Sequence, residues 1–266
     1  MKYIYLSILS LLAAYSLILI FIYFNQRNLL YHPSENNYLG DKIEFDYTEV
    51  WIETENNIKL KSWLIKKDLK KYKTLVFFHG NAGNLINRVH KLNKLNKLDI
   101  NILIMSWRGF SGNPGKPTEK NLYMDAKMGI KWLNDLGVRN DKIILYGESL
   151  GTGVAVELGQ NNTFNSIILE SPFTSIAKAA KIYYPYLPIN LLLKDRYDSI
   201  DKISKITKPV LIMHGMKDNI IPYEMSVKLF KKANQPKYSY FPKDDDHMMN
   251  FDELMVTRLK SFIYQN

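Results

Sequence analysis

The sequence predicts an α/β fold built on a mostly parallel, doubly wound sheet. Short apolar runs alternate along the chain with longer stretches that have helical spacing. The runs are continuous and rich in β-branched residues, as is typical of strands that are buried on both faces of a sheet. Helical segments between such strands are the usual crossovers of a parallel sheet. With 266 residues and 46% hydrophobic content, the chain can bury one large core, and we expect one globular domain.

Residues 1–24 are predicted to be an N-terminal membrane anchor. The run Ile4–Phe24 contains no charged residue and would span about 31 Å as a helix. A secretory signal has a shorter apolar core and a small-residue cleavage site, so we expect an uncleaved, single-pass transmembrane helix through residues 4–24. Lys2 and Arg27 flank the run on opposite sides and hardly discriminate between the two topologies. The absence of a basic cluster after the run favours a main domain outside the cytoplasm.

Residues 25–47 are interpreted as a connecting segment and residues 48–266 as the main domain. The predicted strands are, in chain order, VWIETE and IKLKSWLI as an opening hairpin, then TLVFFHG, NILIMSW, KIILYG, SIILES, VLIMHG and YSYF. The predicted helices are Asn121–Leu136, Ser149–Gly159, Tyr223–Ala233 and Asn250–Ile263.

One connection is too long for a simple crossover. The segment of about residues 176–205 follows the strand SIILES and is rich in tyrosine and proline between residues 183 and 188. We interpret it as a short helical cap over the carboxyl end of the sheet, where ligands bind in open α/β sheets. An ordinary long crossover that only packs against the sheet is the alternative.

Charge and cysteine content exclude several classes of function. The net charge of +10 comes mostly from scattered lysines, and no nucleic-acid-binding motif accompanies them, so no nucleic-acid partner is expected. The chain has no cysteine, which excludes disulfides, thiolate metal sites and a cysteine nucleophile. Neither a metal nor an organic cofactor is predicted. A basic stretch at Arg88, Lys91, Lys94 and Lys97 is expected to be the solvated face of an amphipathic helix, with binding to anionic lipid headgroups as the alternative.

The stretch from Gly147 to Gly151 fits the pattern G-x-S-x-G, with Ser149 at its centre. It follows a predicted buried strand and opens a predicted helix, which is the context that this pattern requires. The glycines allow a sharp, strained turn on which larger side chains would clash. The Ser149 hydroxyl would then lie at a helix N-terminus, where unpaired N–H groups stabilise negative charge.

A serine hydroxyl needs a base and an acid to become a nucleophile, and both candidates follow later strands. Asp218 comes after VLIMHG, and His247 comes after YSYF. The run Asp244–Asp246 is the alternative source of the acid, although residues adjacent to a histidine usually cannot reach around to its Nδ1–H. His79 and His214 each sit in a His-Gly pair at a strand end, where we expect them to position loops.

Two backbone N–H groups are the candidate donors to an oxyanion. One belongs to Leu150, directly after the serine, and the other to the loop in FFHGNAGN, where Asn81 is assigned and Ala82 is the alternative.

Taken together, FFHGNAGN, SWRGFSGNPGKP, LYGESLGTGVAVELG, LESPFTSI and LIMHGMKDNIIP resemble the membrane-anchored α/β-hydrolases of the Bem46 type. This family is related to the α/β-hydrolase domain-containing proteins, which include protein depalmitoylases. The resemblance covers nearly the whole chain. It implies the α/β-hydrolase fold, a Ser149–Asp218–His247 triad and an oxyanion hole at Asn81 and Leu150.

These observations predict a serine hydrolase that cleaves an ester or thioester of an acyl substrate, such as a lipid or an acylated protein, near the membrane. A serine peptidase or an acyltransferase with the same triad is the first alternative. A catalytically silent, membrane-tethered scaffold is the second.

Overall fold

The computed structural model describes residues 1–33, 41–55 and 57–266. The strands in this part of the chain are β1 (His32–Pro33), β2 (Thr48–Glu53), β3 (Lys59–Ile65), β4 (Thr74–Phe78), β5 (Ala82–Gly83), β6 (Asn101–Met105), β7 (Ile143–Glu148), β8 (Ser166–Glu170), β9 (Val210–Met213) and β10 (Lys237–Tyr240). The helices are α1 (Lys2–Leu30), α2 (Val89–Leu95), α3 (Glu119–Asp135), α4 (Leu150–Gly159), α5 (Ile176–Tyr183), α6 (Ile189–Leu192), α7 (Glu224–Lys232) and α8 (Glu253–Gln265). Short 3₁₀ turns lie at Ile86–Arg88, Asn140–Lys142, Ser199–Asp201 and Ile203–Lys205.

The main sheet has eight strands in the order β10-β9-β8-β7-β4-β6-β3-β2. Strands β10 to β6 in this order are mutually parallel, whereas β3 pairs antiparallel with β6, and β2 pairs antiparallel with β3. The register aligns Phe78 at the end of β4 with Gly147 near the end of β7. The predicted opening hairpin and the mostly parallel sheet are confirmed.

Apolar layers cover both faces of the sheet, because alternate strand residues point to opposite sides. Val76 and Phe78 of β4 pack in one buried cluster, which also contains side chains of α3, α4 and α7. Leu75 and Phe77 of the same strand pack in a second cluster, with side chains of α2 and α8. This arrangement confirms the doubly wound architecture, and it leaves the carboxyl ends of the parallel strands open for a site.

Helix α1 is long and apolar enough to cross a membrane, and the described chain contains no other helix that meets this criterion. The helix continues to Leu30, beyond the predicted end of the anchor at residue 24. Its last turns contact the predicted cap, since Arg27 forms an ion pair with Asp195. Residues 34–40 of the predicted connecting segment lie outside the described residues.

Candidate active site

Ser149 lies on a sharp turn between β7 and α4. Its backbone adopts φ 49° and ψ −115°, a region that residues with a side chain rarely occupy. A Cβ atom on Gly147 would lie 2.5 Å from the Thr152 Cα, and one on Gly151 would lie 2.0 Å from the Phe78 carbonyl oxygen. Neither position can hold a larger residue without moving backbone. The strained turn is present, as the motif predicts.

The structure brings Ser149, His247 and Asp218 together from three separate loops at the carboxyl end of the sheet. His247 Nε2 lies 3.0 Å from the Ser149 Oγ, and His247 Nδ1 lies 2.6 Å from Asp218 Oδ2. The Asp218 side chain is fully buried, whereas 11% of the His247 side chain is exposed. A hydroxyl, an imidazole and a carboxylate in this order can transfer the hydroxyl proton to the imidazole and stabilise the resulting cation.

Hydrogen-bond donors surround the Asp218 carboxylate. Oδ1 accepts the backbone N–H groups of Ile220 and Ile221 at 2.7 and 2.8 Å, and Oδ2 is also 2.7 Å from His214 Nε2. Burial alone would raise the pKa of the Asp218 carboxyl, but the bonds from His214 and His247 outweigh it and hold that pKa well below its usual range. The carboxylate is therefore ionised at any physiological pH.

His214 has a closer relation to the site than the sequence indicates. It is fully buried, and it contacts the acid itself besides bonding Ser226 through Nδ1. The sequence contains one indication of this contact, the spacing of four residues between His214 and Asp218. A short loop at a strand end can bring two such side chains together.

The Asp244–Asp246 run, the alternative source of the acid, has one buried member. Asp244 is exposed and pairs with Lys217, but Asp245 is buried and accepts two bonds from Asn250, one from its backbone N–H at 2.9 Å and one from its side-chain amide at 3.1 Å. Asp245 thus stabilises the loop that carries His247 through its bonds with Asn250. The carboxylate that contacts the His247 imidazole is that of Asp218.

The loop after β4 lies against the serine turn. A Cβ atom on Gly80 would lie 3.4 Å from the Ser149 Cβ, and the Gly80 N–H donates to Glu148 Oε1 at 3.2 Å. The Asn81 side chain donates to the Leu30 carbonyl at 2.7 Å. Leu150 is the first residue of α4, so its N–H has no acceptor within the helix. Among the hydrogen bonds of the described residues, none uses the N–H of Asn81 or of Leu150.

Ala82, the alternative donor, lies in β5, which pairs in parallel with β1. Its carbonyl accepts a bond from Arg88 Nη1 at 2.8 Å. The loop after β4 is thus held by two contacts, the pairing of β5 with β1 and the hydrogen bond from Arg88.

A buried ion cluster lies beneath the serine turn, and it corrects one prediction. Arg88 and Lys91, expected on a solvated helix face, are 4% and 0% exposed. Arg88 Nη2 lies 2.6 Å from Glu148 Oε1, and Lys91 Nζ lies 2.7 Å from Glu148 Oε2 and 2.5 Å from Glu170 Oε1. The Tyr146 hydroxyl donates to the other Glu170 oxygen. Of the four basic residues, only Lys94 and Lys97 are exposed.

The two cations and two carboxylates of this cluster balance in charge. Burial alone would raise the pKa of Glu148, but Arg88 and Lys91 outweigh it and hold that pKa well below its usual value. Because Glu148 precedes Ser149 and also accepts the Gly80 N–H, the cluster joins the serine turn to the neighbouring loop.

Replacing Lys91 with methionine is expected to lower the free energy of unfolding by about 3–5 kcal/mol, since two buried carboxylates would lose a shared cation. Urea unfolding of the full chain in detergent micelles measures the loss. Lys94→Met on the same helix is the matched control and should change stability by no more than about 0.5 kcal/mol. Lys91→Met/Glu170→Gln should recover part of the loss, because one uncompensated charge is removed. Equal stability of the two single variants would refute the structural role of the cluster.

His79 is buried against Trp107 and Phe110 and is held neutral. Its Nδ1 lies 2.8 Å from the Gly80 carbonyl oxygen, and its Nε2 accepts the backbone N–H of Trp107 at 3.5 Å. Burial, together with the nearby Arg88 cation, lowers the pKa of His79 from 6.5 to about 3. The folded state therefore binds fewer protons than the unfolded state between these values, and stability falls as the pH falls through this range.

The full chain should lose about 2 kcal/mol of unfolding free energy between about pH 7.5 and pH 5 through His79 alone. His79→Gln should lack this component, whereas His32→Gln, at an exposed position, should retain it. Urea unfolding of the three proteins at about pH 7.5 and pH 5 provides the comparison. A pH dependence in His79→Gln equal to that of the wild type would contradict the assignment.

Within the described ranges, no group of three or more histidine or acidic side chains is arranged to hold a metal ion. The site as described consists of side chains and backbone amides.

Comparison with known proteins gives a family and a fold. The sequence profile of the prolyl oligopeptidase family matches residues 110–262, which is more than half of the chain. An uncharacterized protein of Mycobacterium tuberculosis is 34% identical over 83% of this chain and 79% of its own length. Protein bem46 of Schizosaccharomyces pombe is 31% identical over 84% of this chain and 80% of its own length.

Among solved structures, the Pyrococcus furiosus esterase Pf2001 superposes with a TM-score of 0.71 at 23% identity. The match covers 89% of this chain and 98% of the esterase. At this identity the likeness establishes the fold alone, and the fold is that of the α/β-hydrolases.

Proposed function

The chain belongs to the prolyl oligopeptidase family and has the α/β-hydrolase fold, and on this premise we propose that it is a serine hydrolase. In this proposal it cleaves an ester or thioester of an acyl substrate through an acyl-enzyme on Ser149. The observation that carries the proposal is the hydrogen-bonded chain from Ser149 Oγ through His247 to Asp218, at 3.0 and 2.6 Å.

Catalysis would begin when His247 Nε2 takes the Ser149 hydroxyl proton as Oγ attacks the acyl carbonyl carbon. Asp218 orients the imidazole through Nδ1 and stabilises the imidazolium. The negative oxygen of the tetrahedral intermediate would be bound by the backbone N–H groups of Leu150 and Asn81. The N-terminus of α4 adds its positive dipole end to the same point.

The intermediate then collapses, and the imidazolium donates its proton to the leaving alcohol or thiol. Water enters, loses a proton to His247 Nε2 and attacks the carbonyl carbon of the acyl-enzyme. A second tetrahedral intermediate releases the acid and returns the proton to Ser149. All atoms of the cycle are supplied by the substrate, the water and the three side chains.

The proposed substrate is membrane-associated, either a lipid or an acylated protein. The support is α1, whose apolar stretch is exposed along its length, and which we propose as a single-pass anchor. The exposed aliphatic and aromatic surface of the cap adds to this support.

A serine peptidase is the second candidate, because the matched family is described as that of prolyl oligopeptidase. The same acyl-enzyme chemistry would apply, with an amine as the leaving group. The two candidates differ in the substrates that the full chain turns over.

The test uses the full chain in detergent micelles with a fluorophosphonate probe, which phosphonylates activated serine hydroxyls. We expect labelling of the peptide that contains Ser149, located by mass spectrometry. A series of p-nitrophenyl esters from acetyl to palmitoyl then measures the preferred acyl length, and aminoacyl p-nitroanilides test for peptidase activity. Turnover of anilides without turnover of esters would favour the peptidase. A folded chain with neither labelling nor turnover would favour the membrane-tethered scaffold.

A further inference from the structure

We propose that the cap segment Ile182–Leu193 inserts into the lipid leaflet on the side of the hydrolase domain, next to α1. In this proposal, the exposed apolar side chains of the segment contact the acyl chains of the bilayer. The inference rests on the proposed membrane anchoring by α1, and it does not depend on which bond the enzyme cleaves.

The composition of the segment is that of an interfacial element. From Ile182 to Leu193 the chain reads IYYPYLPINLLL and contains no charged residue. Lys181 and Lys194 flank it directly, so two long cationic side chains mark its ends. Tyr186 and Leu191 are 69% and 85% exposed, which is unusual for large apolar side chains in a protein surrounded by water.

Helix α1 fixes the depth of this segment. The Tyr15 hydroxyl donates to the Tyr186 carbonyl at 2.8 Å, and Tyr15 lies in the middle of the charge-free run Ile4–Phe24. Tyr15 is about 16 Å from Gln26 along the helix axis, at about 1.5 Å per residue. A helix that spans the bilayer through residues 4–24 therefore carries the Tyr186 loop below the headgroups.

A second set of contacts holds the cap and helix at the boundary of the membrane. The Gln26 side chain donates to the Leu192 carbonyl at 3.0 Å and accepts the Lys194 N–H at 2.7 Å. Lys194 Nζ lies 3.9 Å from the centre of the Tyr23 ring. Arg27 pairs with the buried Asp195. Contacts near Tyr15 and near Gln26 together prevent the cap from rotating away from the helix.

Most of the backbone of the segment is paired internally, and the N–H groups of Tyr186 and Asn190 are the exceptions among residues 184–193. Between Tyr184 and Leu193, six N–H groups donate within the cap, and Pro185 and Pro188 have no N–H to satisfy. A lipid-exposed segment needs such internal pairing, because an unpaired backbone group costs several kcal/mol in hydrocarbon. A surface loop in water has no such requirement.

The inserted segment also reaches the catalytic loop. The Tyr183 hydroxyl lies 2.9 Å from the Asn219 carbonyl and 2.8 Å from the Ile220 carbonyl, directly after Asp218. Insertion would thus hold the mouth of the site at the lipid surface, where an acyl chain can leave the bilayer without crossing water.

The absence of native cysteine allows a direct test with single-cysteine variants of the full chain. Leu191→Cys reports on the cap, Leu17→Cys on the middle of α1, and Leu136→Cys on an exposed site after α3, at the opposite end of the sheet. Each variant is labelled with an environment-sensitive fluorophore and reconstituted into phosphatidylcholine vesicles. Spin-labelled phosphatidylcholine quenches from the lipid, and iodide quenches from water.

We expect the labels at Leu191 and Leu17 to be quenched by the spin-labelled lipid, and iodide quenching to be several-fold weaker there than at Leu136. If iodide reaches Leu191 as readily as Leu136 while Leu17 stays protected, the helix is anchored and the cap is not inserted, which overturns the inference. If iodide also reaches Leu17, the anchor itself is absent. If Leu191 is protected from both quenchers, a second copy of the chain covers the cap, and this result also overturns the inference. Hydrolysis of a soluble ester, measured in the same samples, is independent of all these outcomes.

Discussion

Ser149→Ala is expected to lower kcat/KM for ester hydrolysis by about 10⁴-fold or more. The variant keeps the oxyanion donors and the cap, but it has no oxygen at the position 3.0 Å from His247 Nε2. KM should change little if the acyl chain supplies most of the binding energy, so the loss should appear in kcat. Steady-state hydrolysis of the preferred p-nitrophenyl ester measures both constants, and the fluorophosphonate probe should no longer label the protein.

Ser239→Ala is the matched control, because Ser239 is exposed on β10, away from the site. It should retain wild-type kinetics and probe labelling. If Ser149→Ala retained more than about a tenth of the wild-type kcat/KM, another nucleophile would have to carry the reaction, since a lost nucleophile costs far more than tenfold.

Asp218→Asn is expected to lower kcat by about 10³- to 10⁴-fold. All the groups that surround this carboxylate donate to it, namely His247 and His214 on one oxygen and two backbone N–H groups on the other. An asparagine must place its NH₂ group against one of these donor pairs. Either the amide rotates away from His247, or His247 changes tautomer and carries its proton on Nε2. In both cases Nε2 is no longer positioned to accept the Ser149 hydroxyl proton.

Asp244→Asn tests the competing assignment of the acid. Asp244 is exposed and its carboxylate pairs with Lys217, so this variant should keep wild-type kcat. Circular dichroism and thermal unfolding of both variants separate a catalytic loss from a loss of fold. A larger loss of kcat in Asp244→Asn than in Asp218→Asn would reverse the assignment.

The fold could be predicted from sequence because the central parallel strands are mostly apolar runs. The runs at 74–78, 101–105, 143–148 and 166–170 are buried along their whole length. Short runs of this kind that are rich in β-branched residues are typical of the middle of a parallel sheet. The serine turn could also be predicted, because its geometry requires glycine at two fixed positions. A Cβ at Gly147 or Gly151 would collide with backbone, so the glycines mark the turn in the sequence.

The ion cluster could not be predicted in the same way. Arg88 and Lys91 have the spacing of one helix face, and this spacing is the same whether the face meets water or two glutamates. The difference arises from the end of β7 and the end of β8, which come together only in the folded sheet. The role of His214 and the contacts between α1 and the cap depend on pairings of the same long-range kind.

The ion cluster also bears on how this protein can change over evolutionary time. Arg88, Lys91, Glu148 and Glu170 share buried charges, so the loss of any one leaves its partners uncompensated. A joint replacement of all four by neutral side chains of similar size preserves the balance. Substitutions at these positions should therefore be strongly epistatic. In an alignment of relatives, we expect the residues at positions 88, 91, 148 and 170 to covary as a set, with intermediates that carry a single replacement seldom found.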